Sequence, residues 1–271
     1  FRPRDIVSGD FFWIDHLDDH SVFIAADCTG HGVPGAFMSM LGISLLNEII
    51  INRKIIKGTD SFLTGPAMSI EDTVKAIETG IEITEESIRS GVDLIGTGEI
   101  GIGNTTTSSA VLYAFTGMEL DLLVGRGAGL SDEGLARKKE IIKSGVSYNR
   151  PDSSDPVDVI SKVGGFDIAG LTGVYLAAAA ARIPVVIDGF ISGVAAVAAA
   201  KLSPSAKNFM FPSHGSAEPG SRIIAEVLGL YPMLHMNMRL GEGTGCMLAF
   251  NIIEAAAKIM NEMGSFADIG M

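Results

Sequence analysis

Glycine-rich loops carry most of the residues able to do chemistry in this chain. Glu242 stands between two glycines in RLGEGTG (239–245), just before a stretch with helical spacing that begins near Thr244. Flanking glycines let the backbone approach a ligand closely. The start of a helix pulls a carboxylate pKa down, and burial pushes it up. A glutamate balanced between the two in a dry pocket can act as a general base. Left in water, the same residue only complements the helix dipole. Glu99 belongs to GTGEIGIGNTT (96–106), which follows a strand-like run and opens a helix. Its free N–H groups and hydroxyls can hold a phosphate at a helix N-terminus. It can equally be an ordinary strand-to-helix turn with Asn104 or Thr105 as N-cap. The glycine spacing is not a clean dinucleotide fingerprint, and no Walker lysine follows.

Two further loops are less specific. VGRGAG (124–129) offers backbone amides, and Lys138, one helix further on, can supply a counter-charge to phosphate. PSHGSAE (212–218) carries His214 and Ser216, whose nearness in sequence is no sign of a catalytic triad. Near the N-terminus, ADCTGHGVPGA (26–36) raises a separate question, because an aspartate and a glycine–histidine turn there have the look of half a metal site. His31 reads as a turn residue and not as a ligand.

The elements that position these loops follow from periodicity. Ser21–Ala26 is a short buried strand by length and β-branching, and residues 35–51 have helical spacing. Ser69 opens a helix with a capping-box pattern ending at Asp72, and Val74, Ile77, Ile81 and Ile88 form its apolar stripe. A strand is expected over 93–97. Helices are expected from Thr105, over 132–144, 157–163, 168–181, 191–201, 221–228 and 244–263, with strands at 184–187 and 209–211. Strands alternating with helices predict an α/β fold: three layers, with a mostly parallel sheet and helices on both faces, Rossmann-like. Ligands in such folds sit beyond the C-terminal ends of the strands.

Composition sets limits. The chain has 271 residues, 47% of them hydrophobic, enough for a sizeable core. A formal net charge of −12 argues against nucleic acid as a partner. The Ala/Val-rich stretch 174–200 is interrupted by Arg182, Pro184 and Asp188, so it reads as buried helix, strand and helix and not as a membrane span. Cys28 and Cys246 have neither a disulfide nor a metal-site spacing, which fits a reducing, cytoplasmic location.

Taken in order, INRKI (51–55), GPAMS (65–69), GTGEIGIGNTT (96–106), VGRGAG (124–129), SKVGGFDIAGLTG (161–173), DGFIS (188–192), PSHGSAE (212–218) and LHMNMRLGEGTG (234–245) form an ordered set. From residue 51 to 271 the chain resembles the nicotinate-nucleotide–dimethylbenzimidazole phosphoribosyltransferases of cobalamin lower-ligand synthesis. The resemblance implies transfer of phosphoribose from nicotinate mononucleotide to 5,6-dimethylbenzimidazole without a cofactor, and a homodimer. It implies Glu242 as general base and Glu99 on the ribose and nicotinate side. Lys138, Ser216 and the glycine loops fall around the phosphate. Gly101, Asn104, Thr105, Gly125, Gly127, Asp188, Gly241 and Gly243 complete the substrate-binding set.

Residues 1–50 resemble something else. RPRDIVSGDFFWI (2–14) and ADCTGHGVPGAFMSMLG (26–42) look like the opening of a bacterial metal-dependent serine/threonine phosphatase domain of the sporulation and stress-response type. That resemblance implies Asp10 and Asp27 as ligands of Mn²⁺ or Mg²⁺, hard cations that oxygen ligands suit. The later aspartates such a site needs have no counterpart after residue 50. The expected organisation is a partial phosphatase-like segment (1–50) followed by a phosphoribosyltransferase-like domain (51–271) without its usual N-terminal third. The foreign strand, loop and helix are expected to take the place of that missing third, with residues 22–26 at an edge of the domain's sheet.

Overall fold

The computed structural model describes residues 8–17, 20–31, 53, 55, 58–101, 103–127 and 129–264, with backbone alone over 8–31. Two compact units divide the chain, residues 1–54 and 55–271.

In the first unit, β1 (Ser8–Leu17) and β2 (His20–His31) pair antiparallel, with an irregularity between Ser8 and Asp10. Residues 22–26 pair with 11–15 in a two-stranded sheet. The expectation that they fill an edge of the other sheet is not met: among the described residues that sheet holds three strands, all of them from the second unit. The helix expected over 35–51 lies outside the described residues.

The second unit is helix-rich α/β. Its elements are α1 (Ile70–Arg89), β3 (Ile95–Gly96), α2 (Asn104–Thr116), α3 (Leu120–Leu123), α4 (Asp132–Asn149), α5 (Pro156–Val163), α6 (Phe166–Ala180), β4 (Val185–Ile187), α7 (Phe190–Leu202), a 3₁₀ turn (Pro204–Phe209), β5 (Met210–Pro212), α8 (Gly220–Leu228) and α9 (Thr244–Glu262). The sheet is parallel in the order β3-β4-β5. It is smaller than the alternation of elements suggests, and the strand expected over 93–97 is reduced to Ile95–Gly96.

Strand β4 is buried throughout, and successive side chains on a strand point to opposite faces. Val185 and Ile187 join the main core, whereas Val186 meets Cys246 and Ala249 of α9. The uninterrupted Val-Val-Ile run is what a strand covered on both sides requires. Helix α7 follows it and buries almost every residue from Phe190 to Ala199, so its sequence is apolar all round. Helices α1 and α6 approach closely enough that a Cβ on Gly80 would lie 2.0 Å from the Gly170 carbonyl, and one on Gly173 2.0 Å from the Ile77 carbonyl.

Helix α1 starts where the capping pattern puts it. Ser69 Oγ accepts the Asp72 N–H at 3.0 Å, but it donates its own proton to Asp72 Oδ2 at 2.8 Å, so the reciprocal half of the box is replaced by a side-chain pair. Helix α2 departs from expectation. Its N-cap is Gly103, with φ 77°, and not Asn104 or Thr105. Both of those side chains are engaged elsewhere, in the crevice described below. The four-residue α3 and the 3₁₀ turn are too short to show a hydrophobic period. No helix among the described residues is long and apolar enough to cross a membrane.

Candidate functional site

The loops that leave the C-terminal ends of β3, β4 and β5 meet around a crevice of about 540 Å³. Glu99, Lys138, Asp188, Ser216 and Glu242 all line it. These residues span more than 140 positions of sequence, and the parallel sheet gathers them because every strand ends on the same side.

On one wall, the Asn104 side-chain amide donates to Glu99 Oε2 and, at 2.9 Å, to Asp167 Oδ2. Burial holds the Glu99 carboxyl above its ordinary pKa. The Asn104 bond opposes that shift, and the negative charges of Asp167, Asp188 and Glu242 add to it.

A buried cation stands beside Thr105, the neighbour of Asn104. Lys138, only 4% exposed, donates from Nζ to Thr105 Oγ1 and to the Gly125 carbonyl, each at 3.0 Å. Burial lowers its pKa, and the nearby Glu218 carboxylate works against that. Glu218 Oε1 accepts the Gly127 N–H at 3.0 Å, while Oε2 is buried without a partner. A Cβ on Gly125 would lie 2.0 Å from that Oε2, so glycine is required for the loop to pass the carboxylate.

At the floor, Asp188 accepts from two amides at the start of α9, Gly243 N–H at 3.0 Å and Gly245 N–H at 2.7 Å. Ser213 Oγ lies 3.1 Å from the Asp188 carbonyl, to which it donates, and 2.9 Å from His214 Nδ1. Burial lowers the His214 pKa, with Asp188 opposing. Beneath this layer, Thr97 Oγ1 donates to the Val186 carbonyl at 2.9 Å and meets the fully buried Tyr175 hydroxyl at 2.8 Å. Cys246 points its thiol at the Thr97 and Val186 carbonyls, and burial pushes its pKa up to about 12, which makes it a packing residue and not a nucleophile.

Of the residues expected in the site, Glu99, Gly101, Asn104, Thr105 and Gly127 line the crevice on the β3 and α2 side. Lys138, Asp188, Ser216, Gly241 and Glu242 line the remainder. Gly125 and Gly243 stand behind the wall, where the first offers its carbonyl to Lys138 and the second its N–H to Asp188. Glu218, Arg239 and His214 also line the crevice, and Asp167 backs it through Asn104. Glu218 was within reach of sequence reasoning as the acidic residue of PSHGSAE. The Asp167–Asn104 contact, 63 residues apart, left no local trace. Asp10 and Asp27 belong to the other unit, where they are opposite one another across β1 and β2.

A buried ammonium, glycine loops and several carboxylates around one crevice suit a phosphorylated ligand that also carries positive charge. Comparison with known proteins agrees with that class. A family profile described as phosphoribosyltransferase matches residues 28–271. The chain belongs to this phosphoribosyltransferase family. It is 57% identical over 221 residues to the nicotinate-nucleotide–dimethylbenzimidazole phosphoribosyltransferase of Acetivibrio thermocellus, covering 82% of this chain and 63% of that protein. The enzyme of the same name from Desulforamulus reducens is 49% identical over 248 residues, 92% of this chain and 71% of the relative. Among solved structures, CobT from Thermus thermophilus superposes with a TM-score of 0.78 at 37% identity, over 82% of this chain and 66% of that one. The chain thus spans a little under two thirds of the length of curated relatives such as the Acetivibrio protein, 63%. The profile match begins at Cys28, within the segment 1–50 that was expected to lie outside this family.

Proposed function

We propose that this chain transfers phosphoribose from nicotinate mononucleotide to 5,6-dimethylbenzimidazole, giving α-ribazole phosphate and nicotinate. The observation that carries the reading is that Glu242, Glu99, Lys138 and Ser216 share one crevice. Lys138, Ser216 and the glycine amides hold the phosphate, with Gly101, Gly127 and Gly241 leaving room for the ligand. A benzimidazole ring nitrogen attacks the ribose C1′, and the C1′–nitrogen bond to nicotinate breaks. Glu242 takes the proton from the other ring nitrogen. Nicotinate departs from a cationic N-glycoside and needs no acid. Positive charge grows on the ribose carbon, and the carboxylates of the crevice stabilise it.

Finer points rest on the same reading. A three-layer, Rossmann-like arrangement is supported by Val186 facing α9 while Val185 and Ile187 face the main core. A homodimer is supported by the exposed apolar side chains of α9, among them Met247, Leu248, Ile252 and Met260. A cytoplasmic site of action fits the free, buried Cys246. The division into a 1–50 segment and a 51–271 domain is supported by the two compact units. A second reading, a phosphatase-like metal site in the first unit, is supported by the pairing of Asp10 with Asp27. Heat on titrating Mn²⁺ into wild type, lost in Asp27→Ala, would sustain it.

The main proposal is tested by nicotinate release from nicotinate mononucleotide with and without dimethylbenzimidazole. Release that depends on the base is expected. Hydrolysis at an equal rate without it would refute transfer.

A further inference from the structure

Glu242 is held in an uncommon conformation. Gly241, Glu242 and Gly243 have φ of 79°, 58° and 80°, three successive residues in the left-handed region. For glutamate that region is unfavourable, so something outside the turn must select it. The N-cap of α9 is Gly243, which has no side chain to receive the first free amides of the helix.

The missing acceptor comes from elsewhere in the fold. Asp188, 3% exposed at the end of β4, presents Oδ2 to the Gly243 N–H at 3.0 Å and Oδ1 to the Gly245 N–H at 2.7 Å. The two bonds reach across 55 and 57 residues of sequence and bracket the helix start immediately after Glu242. The aspartate is itself fixed, because the Ser213 hydroxyl donates to its carbonyl at 3.1 Å. There is no slack on the other side either: a Cβ on Gly245 would lie 2.7 Å from Asp188 Oδ1.

We infer that Asp188 is a positioning residue, whose carboxylate sets the backbone that aims Glu242, and not a group that binds the nucleotide. The inference rests on Glu242 being the base. Each carboxylate oxygen already accepts a backbone amide, and the ammonium that lines the crevice, Lys138, is bonded to Thr105 and Gly125 and not to Asp188. An aspartate used in this way couples the end of the central strand to the residue that takes the proton.

The test uses the full chain with Asp188→Asn, which can offer an oxygen to only one of the two glycine amides. Three readouts separate the roles: hydrogen exchange at the Gly243 and Gly245 amides, calorimetric affinity for nicotinate mononucleotide, and base-dependent nicotinate release. Exchange at the amide that loses its acceptor is expected to quicken by about tenfold or more. The dissociation constant for the nucleotide should stay within about threefold of wild type. Release should fall about 10²-fold, the cost of a small misplacement of a reacting group. Asp188→Glu keeps the charge but cannot keep the geometry, and it should lose turnover to a similar extent. Should nucleotide affinity collapse while the two amides stay as protected as in wild type, Asp188 is a ligand-binding group and the inference is wrong. Retained turnover in Asp188→Glu would also overturn it. Wild-type turnover in Glu242→Gln is a different outcome, which removes the base while leaving the exchange result for Asp188 intact. If the chain released no nicotinate at all, exchange and affinity would still decide the role of Asp188.

Discussion

The amide nitrogen of Asn104 bridges two carboxylates, donating to Glu99 and, at 2.9 Å, to Asp167. Burial raises the Glu99 pKa above its ordinary 4.5, and the Asn104 bond only partly offsets it. A carboxyl with a raised folded pKa favours the folded state most at low pH. That advantage is complete below 4.5 and is lost as pH rises through the folded value. Glu99→Gln removes the titration and keeps an oxygen for Asn104. In urea unfolding across pH, the variant should lead above the folded pKa, and the wild type should close the gap on acidification. A wild-type advantage that grows with rising pH would refute this account of the shift.

Lys138 is buried against its own preference, since its desolvation lowers the pKa. It is expected to be retained for a ligand. Lys138→Met should weaken nicotinate mononucleotide by about ten- to a hundredfold, the worth of a charge-assisted bond to phosphate. The phosphate-free riboside should bind both proteins alike. Calorimetry with the two ligands checks this, and an equal loss for both would place Lys138 away from the phosphate.

Glu242, the proposed base, has a left-handed conformation, φ 58°, that costs stability. Glu242→Gly should stabilise the ligand-free protein by about 1 kcal/mol in urea unfolding, while Glu242→Gln should leave stability near wild type. Both should lose transfer. Equal stability of the two variants would mean that the turn is not strained.

Gly245 has no room for a side chain. A Cβ there would lie 2.2 Å from His214 Nδ1 and 2.5 Å from Ser213 Oγ. Gly245→Ala should cost about 1–3 kcal/mol of stability in urea unfolding, the usual range for overpacking. Gly229→Ala, in open space but with φ 68°, should cost only its backbone strain, about 1–2 kcal/mol.

Much of this architecture was legible in the residues. The apolar run at 185–187, the cap at Ser69 and the glycine loops each carry a local rule, and each led to the right element. The functional loops were legible because glycines, a lone carboxylate and a helix start leave a short-range pattern. What stayed hidden was long-range. Asp188 was expected to touch substrate and it lines the crevice, but its bonds to amides 55 and 57 residues away are encoded by no local spacing. Asn104 was a candidate N-cap, but Gly103 holds that place and the Asn104 side chain donates to Asp167, 63 residues on, a contact that no local spacing encodes. The extent of the sheet was overestimated at β3, which keeps only Ile95 and Gly96 of the strand expected over 93–97.

The claim at the centre is that Glu242 accepts the proton of the attacking base. It is tested most directly by measuring dimethylbenzimidazole-dependent nicotinate release by wild type and by Glu242→Gln, with nucleotide affinity verified by calorimetry in both. A loss of release by about 10²-fold or more with unchanged affinity is the result expected. Release at the wild-type rate by a Glu242→Gln protein that binds the nucleotide normally would contradict it.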